Sequence, residues 1–275
     1  ATYTNSGKNT KGVTFKLTSD ITLNENVLNA DGTLNETNAS SFVEWVPIGT
    51  ATMGVKAGVV IEEAISSDLI DIEHKKFEGI FDGQENSIKG LYINKGIVWE
   101  QALLSNNYGV VKNITLEDSY IHAEGQFSAG IVGTNKGLVE NCVNNSTISR
   151  GDYWAWAAGI VGQNFGIVKA CTNKGNVLTP TGFIAGVVAL NNGTVFECLN
   201  EADLSGGSNM IAGVVAQNNP NADVLSCTNE GNITGINYIG GIVGYSYAKI
   251  IGCRNEGVIF GTHYVGGISG YTKNN

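Results

Sequence analysis

The sequence predicts an all-β parallel β-helix. Three observations carry that prediction: an internal repeat of 26–29 residues, residue types that recur at fixed places within it, and a Gly or Asn every few residues. The repeat is clearest in Ala129-Gly130-Ile131-Val132-Gly133, which returns as Ala158–Gly162, Ala185–Ala189, Ala212–Ala216, Gly240–Gly244 and, truncated, Gly266–Gly270. Its second residue is Gly130, Gly159, Gly186, Gly213, Gly241 and Gly267, at spacings of 29, 27, 27, 28 and 26. Fixed-period self-similarity is the mark of a solenoid. A helical repeat needs long stretches free of breakers, and none exists here. A leucine-rich repeat needs several Leu per unit, whereas most of these units hold one or two. A coil of about 27 residues suits three short strands joined by turns, stacked about 4.8 Å apart in parallel ladders. The usual crossover rule makes the helix right-handed.

Each element of the coil has its own column. Twelve residues after the repeat Gly comes Cys142, Cys171, Cys198 or Cys253, and Cys227 comes after fourteen. The two extra residues fall in Asn218-Asn219-Pro220-Asn221, which suits a turn. Asn144, Asn173, Asn200, Asn229 and Asn255 follow each Cys by two, and Ile148, Val177, Leu204, Ile233 and Ile259 by six. Asn135, Asn164, Asn191 and Asn218 follow the repeat Gly by five, with Ser246 in the last unit. A large residue precedes it by three: Phe127, Trp156, Phe183, Met210, Tyr238 and Tyr264. The expected roles are Ile and Val inside, Asn at bends bonding from coil to coil, and Gly where the backbone needs φ > 0. The pattern fades upstream: Ala102-Leu103-Leu104-Ser105 takes the Gly-Ile-Val-Gly place with Ile114 in the Cys place. Gly79-Ile80-Phe81-Asp82 takes it one unit earlier, with Leu91 in the Cys place. Val13–Leu17 and Ile21–Leu23 alternate as strands. The chain is thus expected to form one β-helical domain over 1–275. Its repeat coils span 79–275 and its irregular coils 1–78, with insertions at 24–44 and 50–76; Ile61–Ile72 is read as a short helix.

Composition narrows the function. Lys and Arg number 16 against 25 Asp and Glu, a net charge of −9, which disfavours nucleic acid because few cations are available to neutralise phosphates. No apolar run approaches the ~18 residues of a membrane span, so no membrane insertion is expected.

With these columns in view, the coils from 79 to 275 resemble the GLUG-motif repeats of bacterial surface proteins. So does the preamble: Lys16-Leu17-Thr18-Ser19-Asp20-Ile21, Trp45-Val46-Pro47-Ile48-Gly49 and Phe77-Glu78-Gly79-Ile80-Phe81-Asp82-Gly83. The eponymous Leu is Ile or Val here, and the final Gly is Ala in two units. The resemblance implies an extracellular repeat region of adhesin type, also found beside immunoglobulin A-cleaving metallopeptidases. It carries no catalytic residue. Neither a signal peptide at residue 1 nor a completed coil after Gly270-Tyr271 is seen, so the chain is expected to be part of a larger parent protein.

Candidate chemistry is sparse. Five Cys, one per coil and without Cys-x-x-Cys, read as small buried hydrophobes, with disulfides between adjacent coils as the alternative. His74, His122 and His263 are widely separated and form no His-Glu-x-x-His. No Gly-x-Ser-x-Gly elbow supports a Ser-His-Asp triad. Three after each Cys stand Asn145, Lys174, Glu201, Glu230 and Glu256, read as a solvated turn in which screening keeps repulsion small; the three carboxylates would mark a lyase or glycosidase if a cation bridged them. The large-residue column is read as a stacked core ladder pointing inward, with an outward platform for sugars or a partner as the alternative. Ile148 to Trp156 takes eight residues where other coils take five or six, so Ser149–Ala155 should bulge. That loop carries Arg150, Gly151, Asp152, Tyr153 and Trp154, residue types suited to a partner-binding loop. No cofactor and no metal is expected. The function read from these residues is a non-enzymatic extracellular surface module, for adhesion or as a spacer, with a host protein or glycan as partner. The alternative is a carbohydrate-active or glycan-binding β-helix.

Overall fold

The computed structural model describes residues 4, 6–49, 51–55, 70–95, 99–123, 125–151, 155–180, 182–207 and 209–273. It is an all-β parallel solenoid of about seven turns, with a 3-10 turn at Ala39–Ser41. A representative coil places five short strands in succession: Trp156–Ala158, Val161–Asn164, Ile167–Lys169, Thr172–Asn173 and Val177–Leu178. The first four pair in parallel with their equivalents in the next coil, giving Trp156↔Phe183, Val161↔Val188, Ile167↔Thr194 and Thr172↔Leu199, while Val177–Leu178 pairs back to the preceding coil through Ile148↔Val177. The coil therefore bends more often than three strands would require. Gly and Asn interrupt every face, and both belong at bends rather than in strand interiors.

An apolar column fills the lumen. Ile160, Val168, Cys171 and Val177 of this coil are all at most 1% exposed, and their equivalents up and down the axis form one continuous cluster. One-coil stacking turns each sequence column into a ladder, so burial is repeated from coil to coil.

Three sequence expectations need correcting. First, the repeat glycines do not have positive φ. The first five are required by space: a Cβ on Gly159 would meet the Asn173 side chain and the carbonyl of Gly186, and Gly186 and Gly213 are hemmed in the same way. The backbone here runs close to the next coil, with Gly159 N–H donating to Gly186 O at 3.0 Å. Positive φ occurs elsewhere, in the residue before each Cys: Asn141, Ala170, Glu197, Ser226 and Gly252, at 50–67°. Only one of these is Gly.

Second, Gly79–Asp82 does not occupy the place of Gly130–Gly133. Ile80–Asp82 pairs with Val110–Lys112, which pairs with Leu138–Glu140. A second Gly column, Gly79, Gly109, Gly137, Gly166 and Gly193, precedes that ladder and looks like the first in sequence. Leu91 accordingly lies beyond the Cys place, before the Tyr92↔Tyr120 pair. Ala102–Ser105 does align as expected, through Leu104↔Val132.

Third, the expected helix at 61–72 is strand where it is described. Ile70–His74 runs antiparallel to Ala51–Val55, from Ala51↔His74 to Val55↔Ile70, and 61–69 lie outside the described residues. The other insertion, 24–44, folds against the side of the solenoid. Leu28 N–H donates to Asp118 Oδ1 at 2.8 Å, and Thr147 Oγ1 donates to Gly32 O at 2.6 Å.

Candidate functional site

The residue types that could carry chemistry divide into those locked in the lumen and those on its outer faces. Inside, two Asn ladders run along the axis. In one, Nδ2 of Asn107, Asn135, Asn164 and Asn191 each donates to Oδ1 of the next coil's Asn at 2.8–2.9 Å, and Asn218 ends on Ser246 Oγ. In the other, Asn144, Asn173, Asn200 and Asn229 do the same toward Asn255 at 2.7–2.9 Å.

The five cysteines are free thiols, four of them buried and Cys253 half-buried. Each thiol sits within donor reach of the carbonyl two residues earlier, as Cys198 Sγ to Phe196 O at 3.4 Å, while Cys198 N–H approaches Cys227 Sγ at 3.5 Å. Burial first, then neighbouring thiols, pushes Cys171 and Cys198 well above the ordinary thiol range. The hydrogen bond with Cys198, then burial, raises Cys227 to about 12. Such thiols are poor nucleophiles and poor metal ligands. Thiol-reactive dye at neutral pH is expected to label the native chain slowly, with Cys253 reacting ahead of the rest. Cys198→Ser is expected to cost about 1–2 kcal/mol in urea denaturation, because the shorter C–O bond reaches the Phe196 carbonyl less well and packs the ladder less well. Native-state labelling as fast as in urea would contradict this placement.

Outside, the carboxylate column lies on a solvated face. Glu201, Glu230 and Glu256 are all exposed; Glu201 pairs with Lys174 at 3.1 Å and Glu256 with Arg254 at 3.0 Å. Among the described residues no group of three or more His, Cys, Asp and Glu is arranged to hold a metal ion.

The loop after Ile148 is described only in part. Ser149 and Arg150 still belong to the strand Val143–Arg150, opposite Leu178 and Ala123, so the departure from the coil begins after them. Arg150 is 5% exposed, which withdraws its guanidinium from any partner on that face. Gly151 is half-buried; Asp152, Tyr153 and Trp154 lie outside the described residues.

Ser149 borders a feature the sequence did not announce: a groove of about 490 Å³ between the 24–44 insertion and the coil face, lined by Thr33, Asn35, Glu36, Tyr120, Thr147 and Ser149 among others. Register places His122 opposite Ser149, with Nδ1 3.2 Å from Ser149 Oγ, and the imidazole stacks on Tyr120 at 6.2 Å. Only the fold could bring these together, because the insertion residues stand about 80 to 120 positions before the strand residues that face them.

The large-residue column points away from the lumen. Phe127, Trp156 and Phe183 stack at 6.4 and 4.0 Å, and Trp156, Phe183 and Met210 pack on a second apolar cluster of Ala158, Ala185, Ala189 and Ala216. Glu100 occupies the same column one coil before Phe127 and is 7% exposed. Burial pushes its carboxyl up to about 7, against the weaker pull of the Thr134 hydroxyl and Lys136. The ionised form is thus disfavoured on folding, and stability is lost as pH rises from about 4.5 through about 7. Glu100→Gln should therefore stabilise by about 2–3 kcal/mol at pH ~8 and by almost nothing at pH ~4. Equal urea midpoints of mutant and wild type at both pH values would refute this.

No protein-family model matches the chain, and no curated protein matches it. The fold has a solved counterpart. The crystal structure of a putative immunoglobulin A1 protease from Bacteroides ovatus superposes on it with a TM-score of 0.61 at 16% identity, over 95% of this chain and 78% of that one. At that identity the similarity establishes the β-solenoid fold alone.

Proposed function

We propose that this chain is a non-enzymatic binding and spacer module, of GLUG-repeat type, within a larger secreted or wall-attached bacterial protein. The observation that carries this reading is the division of the side chains. The Cys and Asn columns are consumed in holding the lumen, while the outer faces present aromatic rings and an insertion groove along a rigid axis. A rigid scaffold with exposed faces suits recognition more than turnover. The neighbour's name, an immunoglobulin A1 protease, supports a place on an extracellular protein; this chain has no His-Glu-x-x-His for zinc peptidase chemistry. The partner in this reading is a host protein or a glycan.

The test is exposure and attachment. On intact cells making the parent protein, antibodies to this segment should bind without permeabilisation, and the purified chain should compete for attachment to host cells. Staining only after lysis would sink the reading. A hydrolytic alternative is favoured by one contact, His122 to Ser149. It predicts ester or glycoside hydrolysis that Ser149→Ala abolishes, and inert wild-type chain would dispose of it.

A further inference from the structure

The outer column changes character in the last two coils. Upstream it is Phe127, Trp156, Phe183 and Met210, the last three closed over alanines; from residue 238 it is Tyr238 and Tyr264. The neighbouring outer column changes at the same place. Its ladder runs Thr134, Gln163, Leu190 and Gln217, then Tyr245 and Tyr271. The result is a two-by-two array of rings. Tyr238 and Tyr264 stack at 4.8 Å with planes 5° apart, and Tyr245 and Tyr271 lie 4.9 Å apart. Tyr238 meets Tyr245 edge-on at 5.2 Å, and Tyr264 meets Tyr271 edge-on at 5.6 Å. Tyr247 extends the array from Tyr245 at 4.8 Å. Tyr264 is 53% and Tyr271 37% exposed, so the rings form a surface.

The backbone is bent to present them. Tyr238 and Tyr264 have φ of 52° and 53°, a left-handed conformation that costs an aromatic residue free energy. Pairing skips both: the register runs Asn237↔His263 and Ile239↔Val265. The cause is legible in the spacing, since Ile233 to Tyr238 and Ile259 to Tyr264 take five residues where Val177 to Phe183 and Leu204 to Met210 take six. The shorter corner re-aims the side chain, as bulges do.

Charge also reverses here. After Glu230 the chain holds a single carboxylate, Glu256, already paired by Arg254 at 3.0 Å. The other cations, Lys249 and Lys273, border one recess with Tyr247, and Lys273 Nζ stands 5.6 Å from the Tyr247 ring. An otherwise acidic protein thus places its rings beside cations.

We propose that this face binds an acidic oligosaccharide, with pyranose rings stacked on the tyrosines and a sugar carboxylate beside Lys273 and Lys249. Sugar C–H faces pack on aromatic rings, the phenol hydroxyls bond to sugar hydroxyls, and the coil spacing is close to the length of one pyranose unit. The carboxylated unit is a uronic or a sialic acid. This proposal rests on the reading of the chain as a binding module and names its partner class.

The purified chain is titrated with oligogalacturonate, sialyllactose, neutral maltopentaose and a short single-stranded oligonucleotide, read by ring-current shifts of ligand protons and by intrinsic fluorescence. At least one carboxylated sugar should bind saturably, and which one does separates the two sources. It should bind at least tenfold tighter than maltopentaose. Tyr264→Ala and Tyr271→Ala should each weaken binding roughly tenfold, the worth of one stacked ring. Tyr264→Phe should keep most of the affinity, and Lys273→Gln should erase the preference for the acidic sugar. Tyr108→Ala, on another face, should change nothing. The proposal falls if folded wild-type chain binds none of the sugars, if the oligonucleotide binds as well, or if binding survives both tyrosine-to-alanine changes. Absence of sugar binding with cell-surface exposure intact would remove this proposal and leave the surface-module reading standing.

Discussion

Gly186→Ala is expected to destabilise the chain by about 3–5 kcal/mol and to lower the thermal midpoint by roughly 10 °C, although it adds one methyl group to a buried position. Substitution of Gly by Ala is ordinarily stabilising wherever the backbone accommodates it, because it restricts the unfolded chain. Gly186 lacks the φ that would forbid a side chain, so on conformational grounds alone the change should be benign. Space decides otherwise. A Cβ there would collide with the Asn200 side chain and with the carbonyl of Gly213 in the next coil. Neither neighbour gives way cheaply. The Asn200 amide is fixed by bonds to Ala202 O at 2.8 Å and Asn229 Oδ1 at 2.8 Å, and the carbonyl belongs to a backbone stacked on both sides. Relief would require the coils to part, which loosens Gly159 N–H to Gly186 O as well. Gly267→Ala is the internal control: a Cβ there meets nothing within 4 Å, so the effect should stay within about 0.5 kcal/mol. Urea denaturation of both variants checks the pair. A mild Gly186→Ala would mean the coils are not packed as closely as the ladder requires.

That example shows how the fold was legible and where legibility stopped. The period, the columns and the absence of helical stretches follow from local rules, because one-coil stacking writes each ladder into the sequence at a fixed interval. What a glycine is for does not follow. A need for positive φ and a need for close approach leave the same letter, and the sequence cannot separate Gly186 from Gly252. Likewise the two Gly-plus-apolar columns, at Gly130 and Gly137, look interchangeable, so the upstream coil at 79–82 is easily placed one strand out. The left-handed corner before each Cys escapes notice, because Ala170, Glu197 and Ser226 carry no mark of it.

The outer surface was harder still. Adjacent apolar residues such as Ile131 and Val132 erase the alternation that tells inside from outside, so the sequence favours an inward Phe127–Tyr264 ladder, whereas the lumen is full without it. The groove beside Ser149 depends on an insertion folding back across the coil, which no periodic signal encodes. The one-residue shortening before Tyr238 and Tyr264 was countable in the sequence. Its consequence, a bent corner that turns two rings outward, required the register of the neighbouring strands.

Asn200→Ala should rank with Gly186→Ala, at about 4 kcal/mol, and for the opposite physical reason. Asn200 is fully buried, yet its amide makes three bonds: Oδ1 accepts from Asn173 Nδ2 at 2.9 Å, and Nδ2 donates to Asn229 Oδ1 and to the Ala202 carbonyl. Truncation leaves two acceptors without that donor in a lumen closed to bulk water, and each orphaned buried group costs about 1–3 kcal/mol. The lost side chain also leaves a small polar cavity. Coupling along the ladder sharpens the test. In Asn200→Ala with Asn229→Ala, the second change removes an oxygen already stripped of its donor, so the double mutant should cost less than the sum of the singles by about 1 kcal/mol or more. Asn107→Ala with Asn229→Ala, taken from separate ladders, should be additive within about 0.5 kcal/mol. Urea denaturation at one pH measures all five variants. If the neighbouring pair were as additive as the distant one, the amides would be filling space one by one, and the ladder would not be a cooperative hydrogen-bonded unit.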